Sequence, residues 1–178
     1  MKLPDKLETE RLIIRPYTER DRDDFIEFML CSQVTDYLNF TEEQKTSEGA
    51  KELLDMTLSS YRTSTPLFAL VITKKECDRF IGSCGFSPLD EKKNCECFYA
   101  LFPQYWGQGL ATEAMITLFN YGFEQLKINE IIAHINKDNP RSLRVVNKLG
   151  MKETGTVEFK GIPEQGKLFT LNIGTSKN

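Results

Sequence analysis

The sequence predicts an α/β or α+β domain built on one sheet, with a helix that crosses over in the middle of the chain. Strand and helix patterns follow in the order β-α-α-β-β-β-α-β-α-β-β, which is typical of a sheet covered by helices. The chain has 178 residues, of which 40% are hydrophobic and 28% charged, as in an ordinary globular domain. Because no repeat or linker interrupts this order, we expect residues 1–178 to form a single domain.

The first third of the chain carries one strand and two helices. Residues 11–15 (Arg-Leu-Ile-Ile-Arg) have the composition of a first strand. Thr18 with Asp21 forms a capping-box pattern that opens a helix, and Thr41 with Gln44 forms a second one. Apolar residues at helical spacing follow each cap, namely Phe25, Phe28, Met29 and Leu30 after the first and Ala50, Leu53, Leu54 and Leu58 after the second.

Most of the predicted sheet lies in the rest of the chain. Three strands come in succession, at residues 67–73, 79–86 and 94–101. An amphipathic helix runs from residue 109 to about 125, before a strand at 130–135 and a short helix at 139–148 that Gly150 ends. Strands at residues 151–159 and 168–173 complete the sheet.

Composition disfavours several classes of protein. The five cysteines lack CxxC spacing and only one histidine accompanies them, so we expect reduced thiols, no disulfide framework and no bound metal. The N-terminal residues lack the apolar stretch of a signal peptide, and nowhere do 18 apolar residues run together. We therefore expect a cytoplasmic protein that does not bind a membrane.

Charge is unevenly distributed along the chain. Residues 1–60 hold 14 acidic and 8 basic side chains, whereas residues 61–178 hold 12 acidic and 15 basic ones. This balance disfavours binding of nucleic acid through its phosphates. One interpretation is that helix-rich surfaces simply carry charge. The other is that an acidic lobe, with Asp21, Asp23 and Asp24 among its carboxylates, attracts a cationic ligand while the basic half holds an anion.

The most informative segment is the turn at residues 103–114, Pro-Gln-Tyr-Trp-Gly-Gln-Gly-Leu-Ala-Thr-Glu-Ala. Gly107 and Gly109 let the backbone turn tightly, and the N-terminus of the following helix offers free N–H groups to a pyrophosphate. A Walker loop would need Lys-Ser/Thr after its last glycine, where Leu-Ala stands instead. A dinucleotide-binding loop would need a glycine in place of Thr112. A purely structural glycine turn is the remaining alternative.

This turn resembles the acetyl-coenzyme A loop of the GCN5-related N-acetyltransferase (GNAT) superfamily. The shared residues are Gln104-x-x-Gly107-x-Gly109, with Trp106 before the first glycine and Ala-Thr-Glu-Ala after the second. The run Tyr-Trp-Gly-x-Gly-Leu-Ala-Thr-Glu-Ala is most similar to the ribosomal-protein N-acetyltransferase (RimJ/RimL-like) branch. Residues 7–15 and 139–151 also match that branch in the correct order, so the resemblance covers nearly the whole chain.

The resemblance implies a mixed, mostly antiparallel sheet whose middle strands splay apart, with the pantetheine of acetyl-CoA threaded through the gap. It implies that the backbone N–H of Tyr99 binds the thioester carbonyl and that the backbone of Leu101 pairs with pantetheine. The residues whose main chain would bind the pyrophosphate are Trp106, Gly107, Gln108, Gly109, Leu110 and Ala111. Asn139 and Ser142 match positions that contact the cofactor or brace the strands, although a plain helix cap also explains them.

Catalysis requires a group that takes the amine proton, because an ammonium with a pKa near ~10 is almost wholly charged at neutral pH. By resemblance Glu96 is the candidate base, with an exposed cross-strand charge as its other interpretation. Tyr99 is the candidate acid towards the departing thiolate, although strand aromatics often belong to the core. The lone histidine, His134, is expected to be structural. Many relatives carry an acid tyrosine where this chain has Val146, so either Tyr99 or water must supply that proton.

The expected function is transfer of the acetyl group of acetyl-CoA to a primary amine, first of all the N-terminal α-amine of a basic protein. A small amine (polyamine, amino acid or aminoglycoside) is the alternative acceptor, and a non-catalytic acyl-CoA-binding module is the alternative from another class. Residues 1–62 would supply the first strand and the acceptor-side helices, and residues 63–178 the acetyl-CoA-binding core. The enzyme would act without a metal, as a monomer or a homodimer.

Overall fold

The structure is a computed structural model that describes residues 1–160 and 162–172. The strands are β1 (Leu7–Glu8), β2 (Leu12–Pro16), β3 (Phe68–Lys74), β4 (Phe80–Pro88), β5 (Asn94–Leu101), β6 (Glu130–Asn136), β7 (Lys152–Phe159) and β8 (Ile162–Asn172). The α-helices are α1 (Arg22–Leu30), α2 (Ser32–Thr35), α3 (Ser47–Ser60), α4 (Leu110–Tyr121) and α5 (Pro140–Lys148). The predicted α/β fold is confirmed.

All of these strands belong to one sheet, in the order β1-β2-β3-β4-β5-β6-β8-β7. Neighbouring strands are antiparallel throughout except for β5 and β6, which are parallel. Parallel neighbours need a crossover connection, and α4 provides it. The predicted crossover helix in a mixed, mostly antiparallel sheet is therefore confirmed.

The middle of the sheet opens after a short stretch of pairing. β5 and β6 pair only at Asn94 with Glu130, Cys95 with Ile131 and Glu96 with Ile132. Beyond Glu96 the two strands part, whereas β4 stays paired with β5 as far as Leu101. The splayed middle strands that the resemblance implied are thus present.

Helices cover both faces of the sheet. One core includes Leu110, Ala114 and Leu118 of α4, packed against alternate residues of β6 such as Ile131 and Ala133. The other core joins α1 and α3 to β3 and β4, through buried residues that include Phe28, Leu54, Val71 and Phe80. Each large apolar side chain buried in this way contributes about 1.5–3 kcal/mol, so both layers are held firmly against the sheet.

The second predicted capping box does not begin the helix that was expected to follow it. The Thr41 N–H donates to Gln44 Oε1 at 3.0 Å and the Gln44 N–H to Thr41 Oγ1 at 3.3 Å, so the box itself forms. It leads only into a short 3₁₀ turn, Glu43–Lys45. The helix α3 begins later, because Thr46 caps it by accepting from the Gly49 N–H at 3.1 Å.

Three further differences from the predicted elements are small. The short elements β1 and α2 have no clear periodic pattern in sequence and were not predicted. The last strand begins at Ile162, earlier than predicted, because it pairs with β6 on one side and β7 on the other. Its predicted last residue, Ile173, lies outside the described residues.

Candidate active site

A cleft of about 1010 Å³ opens where β5 and β6 part, and residues from both faces of the sheet line it. On one side lie the turn before α4 and one face of α5. On the other lie the segment from Gln33 to Phe40 and the end of β7. The predicted site residues that line the cleft are Glu96, Tyr99, Leu101, Trp106, Gly107, Gly109, Leu110, Ala111, Asn139 and Ser142.

The edge of β5 that faces this cleft carries main-chain groups that β6 does not use. The Phe102 N–H donates to the Ile81 carbonyl at 2.9 Å, which fixes the side of the strand on which β4 is bonded. Main-chain groups alternate in direction along an antiparallel pair, so those of Tyr99 and Leu101 point the other way, into the gap. They lie where an extended ligand could pair with the strand edge.

The glycine turn has the backbone conformation that its sequence predicted. Gly107 has φ of +76° and Gly109 has φ of +79°, in the left-handed region that residues with a Cβ rarely adopt. Gly109 is also the N-cap residue of α4, and no side chain caps that helix. The first N–H groups of α4 and the positive end of its dipole therefore face the cleft without a side-chain acceptor.

Arg11 holds this turn from outside, a contact that the sequence did not reveal. Its Nη1 donates to the Gln108 carbonyl at 3.1 Å, and its Nε donates to Glu113 Oε2 at 2.7 Å. Burial alone would raise the pKa of Glu113, but hydrogen bonds from Thr9 and Arg11 lower it below its usual value. One side chain thus ties the peptide between the two glycines to the first turn of α4.

Gln108 is the one predicted site residue that does not line the cleft. Its side-chain amide donates to the Gln104 carbonyl at 2.9 Å, and its own carbonyl is held by Arg11. The side chain therefore braces the turn from behind. Its main-chain N–H remains part of the predicted phosphate-binding loop.

Trp106 links the turn to the end of β5. Its indole Nε1 donates to the Leu101 carbonyl at 2.8 Å. The guanidinium carbon of Arg141 lies 3.8 Å from the centre of a Trp106 ring, a cation–π contact. Because the Leu101 carbonyl already accepts the indole proton, the Leu101 N–H is the group of this residue best placed to bind a ligand.

One face of α5 adds positive charge that the residue-by-residue prediction omitted. Arg141, Arg144 and Lys148 all line the cleft. Their spacing of three and four residues places them on one side of a helix. This spacing is visible in the sequence and could have indicated a positively charged helix face. Together with the N-terminus of α4, these cations make this end of the cleft suitable for phosphate groups.

Asn139 and Ser142 form the cap of α5, as the structural alternative expected. Asn139 Oδ1 accepts from the Ser142 N–H and its Nδ2 donates to Ser142 Oγ, both at 3.1 Å. Both residues also line the cleft, so the cap does not remove them from reach of a ligand.

Tyr99 extends from β5 towards α5. Its hydroxyl donates to the Ser142 carbonyl at 3.3 Å, and burial raises the pKa of Tyr99 above its usual value. The hydroxyl therefore keeps its proton at neutral pH. Val146, at the position where the resemblance implied a tyrosine, is fully buried in the core and does not line the cleft.

Glu96 and His134 are joined across the point where the strands part. His134 Nδ1 lies 2.9 Å from Glu96 Oε1, and both side chains are about one third exposed, at 33% and 35%. The hydrogen bond to Glu96 raises the pKa of His134 above its usual value, against the opposing effect of burial. The expectation that this histidine is merely structural missed the pairing, because two residues 38 positions apart give no local pattern.

Comparison with known proteins agrees with this geometry. The family model of the acetyltransferase (GNAT) domain matches residues 11–152. The chain belongs to the GNAT family. It is an acetyl-CoA-dependent N-acetyltransferase, as the glycine turn predicted. A similar protein is the uncharacterized N-acetyltransferase p20 of Bacillus licheniformis, 32% identical over 84% of this chain and 83% of its own length.

Solved structures share the fold of this acetyltransferase. The ribosomal-protein-S5-alanine acetyltransferase from Vibrio fischeri has a TM-score of 0.80 and 19% identity, covering 97% of this chain and 99% of that one. RimJ of Mycobacterium smegmatis, in complex with CoA-disulfide, has a TM-score of 0.77 and 16% identity, covering 94% and 84%. Both carry the names of the branch that the sequence motifs resemble.

The far end of the acetyltransferase's cleft is closed by contacts between distant segments. The Tyr37 hydroxyl donates to the Asp138 carbonyl at 3.2 Å. Lys160 Nζ donates to the Asp36 carbonyl at 2.7 Å. The loop after α2 is thereby held against the end of β7 and the turn between β6 and α5. Neither contact has a sequence signal of its own.

The acidic residues suggested for attracting a cation do not lie in the acetyltransferase's cleft. Asp21 is 3% exposed and forms an ion pair with Arg15 at 2.8 Å, so its role is structural. Asp23 and Asp24 are exposed on α1 and do not line the cleft. Among the described residues, the carboxylates that line it are Glu96 and Glu158.

The acetyltransferase's five cysteines are free thiols, with Cys84, Cys95 and Cys97 buried. Cys95 and Cys97 face the same core, as strand alternation predicted. In the described part of the chain, no three His, Cys, Asp or Glu side chains cluster in a way that could hold a metal ion. Nor does any helix there have the length and apolar character needed to cross a membrane.

Proposed function

We propose that this enzyme binds acetyl-CoA along the cleft and transfers the acetyl group to the N-terminal α-amine of a protein. The observation that carries the proposal is the continuity of the cleft. It runs from a glycine turn with uncapped helix N–H groups, along the free edge of β5, to the Glu96–His134 pair. Phosphates, an extended amide-containing arm and a reacting thioester need these three environments in this order.

The described residues fit the co-substrate. The N–H groups of the turn from Trp106 to Ala111 suit the pyrophosphate, and the cations of α5 suit the remaining phosphate charge. The Leu101 N–H would pair with the pantetheine arm. The Tyr99 N–H would donate to the thioester carbonyl, where negative charge develops during transfer. Asn139 and Ser142 would contact the arm while they cap α5.

The chemical demands on the protein are modest, because a thioester is already activated. The amine must lose a proton before it attacks, and we place that function at Glu96 and the histidine bonded to it. The departing thiolate resembles a free thiol, whose pKa is about 8.5, and tolerates departure without an acid. The protonated Tyr99 hydroxyl is the protein group placed to supply a proton if one is used.

The preference for a protein N-terminus rests on the sequence motifs of the ribosomal-protein branch and on the fold shared with enzymes of that name. The acceptor end would be formed by residues 1–62 together with the end of β7, and residues 63–178 would bind acetyl-CoA. A protein α-amine also has an ordinary pKa of about 7.7–8.0, so less base strength is needed than for an alkylamine.

The test is release of free thiol from acetyl-CoA in the presence of candidate acceptors. We expect turnover with peptides that have a free α-amine, and none with the same peptides acetylated at the N-terminus. Turnover only with polyamines, amino acids or aminoglycosides would replace the protein acceptor by a small one. Tight acetyl-CoA binding without turnover on any amine would indicate an acyl-CoA-binding module instead.

A further inference from the structure

The bond between Glu96 and His134 spans the sheet at the last position where β5 and β6 are paired. Glu96 pairs with Ile132 there, and His134 lies two residues further along β6. A strand rises by about 3.3 Å per residue, so His134 stands roughly 6.6 Å further along than Glu96. This places it level with Phe98, next to Tyr99. The backbone of His134 is therefore nearer than that of Glu96 to the proposed position of the thioester.

The hydrogen bond also decides which ring nitrogen is available. A carboxylate only accepts hydrogen bonds, so a neutral imidazole bonded to Glu96 through Nδ1 carries its proton on Nδ1. Its Nε2 then presents a lone pair. A carboxylate that fixes the tautomer and orientation of an imidazole base is the arrangement used by nucleophilic triads.

We propose that His134 Nε2 is the group that accepts the amine proton and that Glu96 orients the ring for this step. The inference rests on the proposed function. There the Glu96–His134 pair takes the amine proton together, and here each of the two residues is given its own part in that step. The ammonium N–H bond breaks and an Nε2–H bond forms. The freed lone pair forms the C–N bond to the thioester carbonyl carbon, and the electrons of the C–S bond leave with sulfur. The second amine proton passes to that sulfur through Tyr99 or water, and His134 returns its proton to solvent.

The surroundings of the ring are compatible with this role. On β8, Leu168 lies opposite His134, and the adjacent Lys167 is paired with Glu153 at 3.0 Å. The other titratable groups that line the cleft are Cys97 and Tyr99 on β5, Tyr105 before α4, Tyr37, Glu158 and Lys160 on the acceptor side, and Arg141, Arg144 and Lys148 on α5. Glu96 is the group in direct contact with the ring and raises the pKa of His134. The raised pKa makes the neutral imidazole a stronger base towards the amine proton.

The first test needs no turnover, since His134 is the only histidine in the chain. Its imidazole resonances can be followed by NMR through a pH titration without ambiguity. We expect a pKa above the ordinary value in the wild type and a lower one in Glu96→Gln. The matched control is Glu8→Gln, which removes the carboxylate of an ion pair with Lys75 at the β1 edge of the same sheet and should leave the titration unchanged. An equal histidine pKa in the wild type and Glu96→Gln would overturn the pairing.

The second test separates proton transfer from positioning. In His134→Asn the side-chain amide can still donate to Glu96, but no group replaces the Nε2 lone pair. We expect kcat to fall about 100-fold or more, the usual contribution of a general base, with the Kd for acetyl-CoA unchanged. Wild-type kcat in His134→Asn would show that the ring only holds Glu96 and would overturn the proposal.

A pH profile completes the design. We would measure kcat against pH with two acceptors whose amines differ in pKa. Each profile should contain two rising limbs. The position of one limb should follow the pKa of the amine, and the position of the other should be the same for both acceptors. The fixed limb should follow the histidine pKa measured by NMR and shift to lower pH in Glu96→Gln; a fixed limb unrelated to that pKa would overturn the proposal. If the wild type shows no turnover with any amine, the proposed function fails, whereas the NMR titration still reports on the pair.

Discussion

The two ends of the cleft are built by different means. At the end proposed for the phosphates, the glycine turn offers main-chain groups of one continuous segment, and two glycines with positive φ make that geometry possible. At the end proposed for the acceptor, the walls come from segments far apart in the chain, held by contacts such as Tyr37 with Asp138, 101 residues away, and Lys160 with Asp36, 124 residues away.

This difference explains why the cofactor could be recognised from the sequence and the acceptor could not. Recognition by main-chain groups requires particular backbone conformations, and these require glycine at fixed positions, so a motif appears in the sequence. Recognition by side chains from separate segments imposes no local spacing. The cofactor is therefore evident from twelve consecutive residues, whereas the acceptor is not evident from any.

The largest effect on acetyl-CoA binding should come from Gly109→Val, which changes the proposed phosphate-binding turn itself. A β-branched residue rarely adopts φ of +79°, and the nearest atom to an added Cβ is Arg11 Nη2 at 3.7 Å, so strain rather than crowding is the cause. Acetyl-CoA at about 100 times its Kd should stabilise the wild type by ~2.7 kcal/mol and leave Gly109→Val unstabilised, as thermal unfolding would show. Gly155→Ala, at an open position without positive φ, is the control. An equal shift in Gly109→Val would place the phosphates elsewhere.

A smaller effect is expected from Arg11→Gln, which loosens the same turn without touching the cleft. It removes the bonds to the Gln108 carbonyl and to Glu113. Because the Arg11 side chain is 41% exposed, we expect only about a threefold to tenfold rise in the Kd for acetyl-CoA. Isothermal titration would measure it, with Lys6→Gln, from an exposed ion pair whose residues do not line the cleft, as the control. An unchanged Kd would mean that the glycines alone fix the turn.

The acceptor end is tested by Tyr37→Phe, which removes one hydrogen bond between distant segments. The loop after α2 should become less well held, and KM for the acceptor should rise about threefold, consistent with a net hydrogen-bond contribution of ~0.5–1.5 kcal/mol. The Kd for acetyl-CoA should not change, because the turn before α4 is unaffected. A change in cofactor Kd alone would contradict the assignment of the two ends.

The smallest effect is the pH dependence that the Glu96–His134 pair adds to stability. The pKa of His134 is raised in the folded state, so the stabilisation is fully present below about 6.5 and is lost as pH rises through the folded pKa. A partly exposed pair of this kind contributes about 0–1 kcal/mol. Urea unfolding should show a larger difference between wild type and Glu96→Gln at pH 5.5 than at pH 8.5. A difference that grows with pH would contradict the sign.

The elements with strong periodicity were predicted well. The two predictions that failed, the start of α3 and the role of Asp21, depended on more than a local pattern. The order of strands and helices, the crossover and the glycine turn follow from local patterns. The predicted start of α3 was wrong because Thr46, five residues after Thr41, forms the cap that begins the helix. Asp21 was assigned to an acidic surface, although folding buries it against Arg15.

By itself the sequence determined the fold class, the family and the conformation of the glycine turn, because periodic burial and glycine conformations are properties of short segments. The tertiary structure alone decided the rest. It parted β5 from β6 beyond Glu96, brought His134 to that carboxylate and placed Arg11 behind the turn. It also buried Val146, where the resemblance implied a tyrosine. Each of these features depends on segments far apart in the chain, and only the packing of the whole sheet brings such segments together.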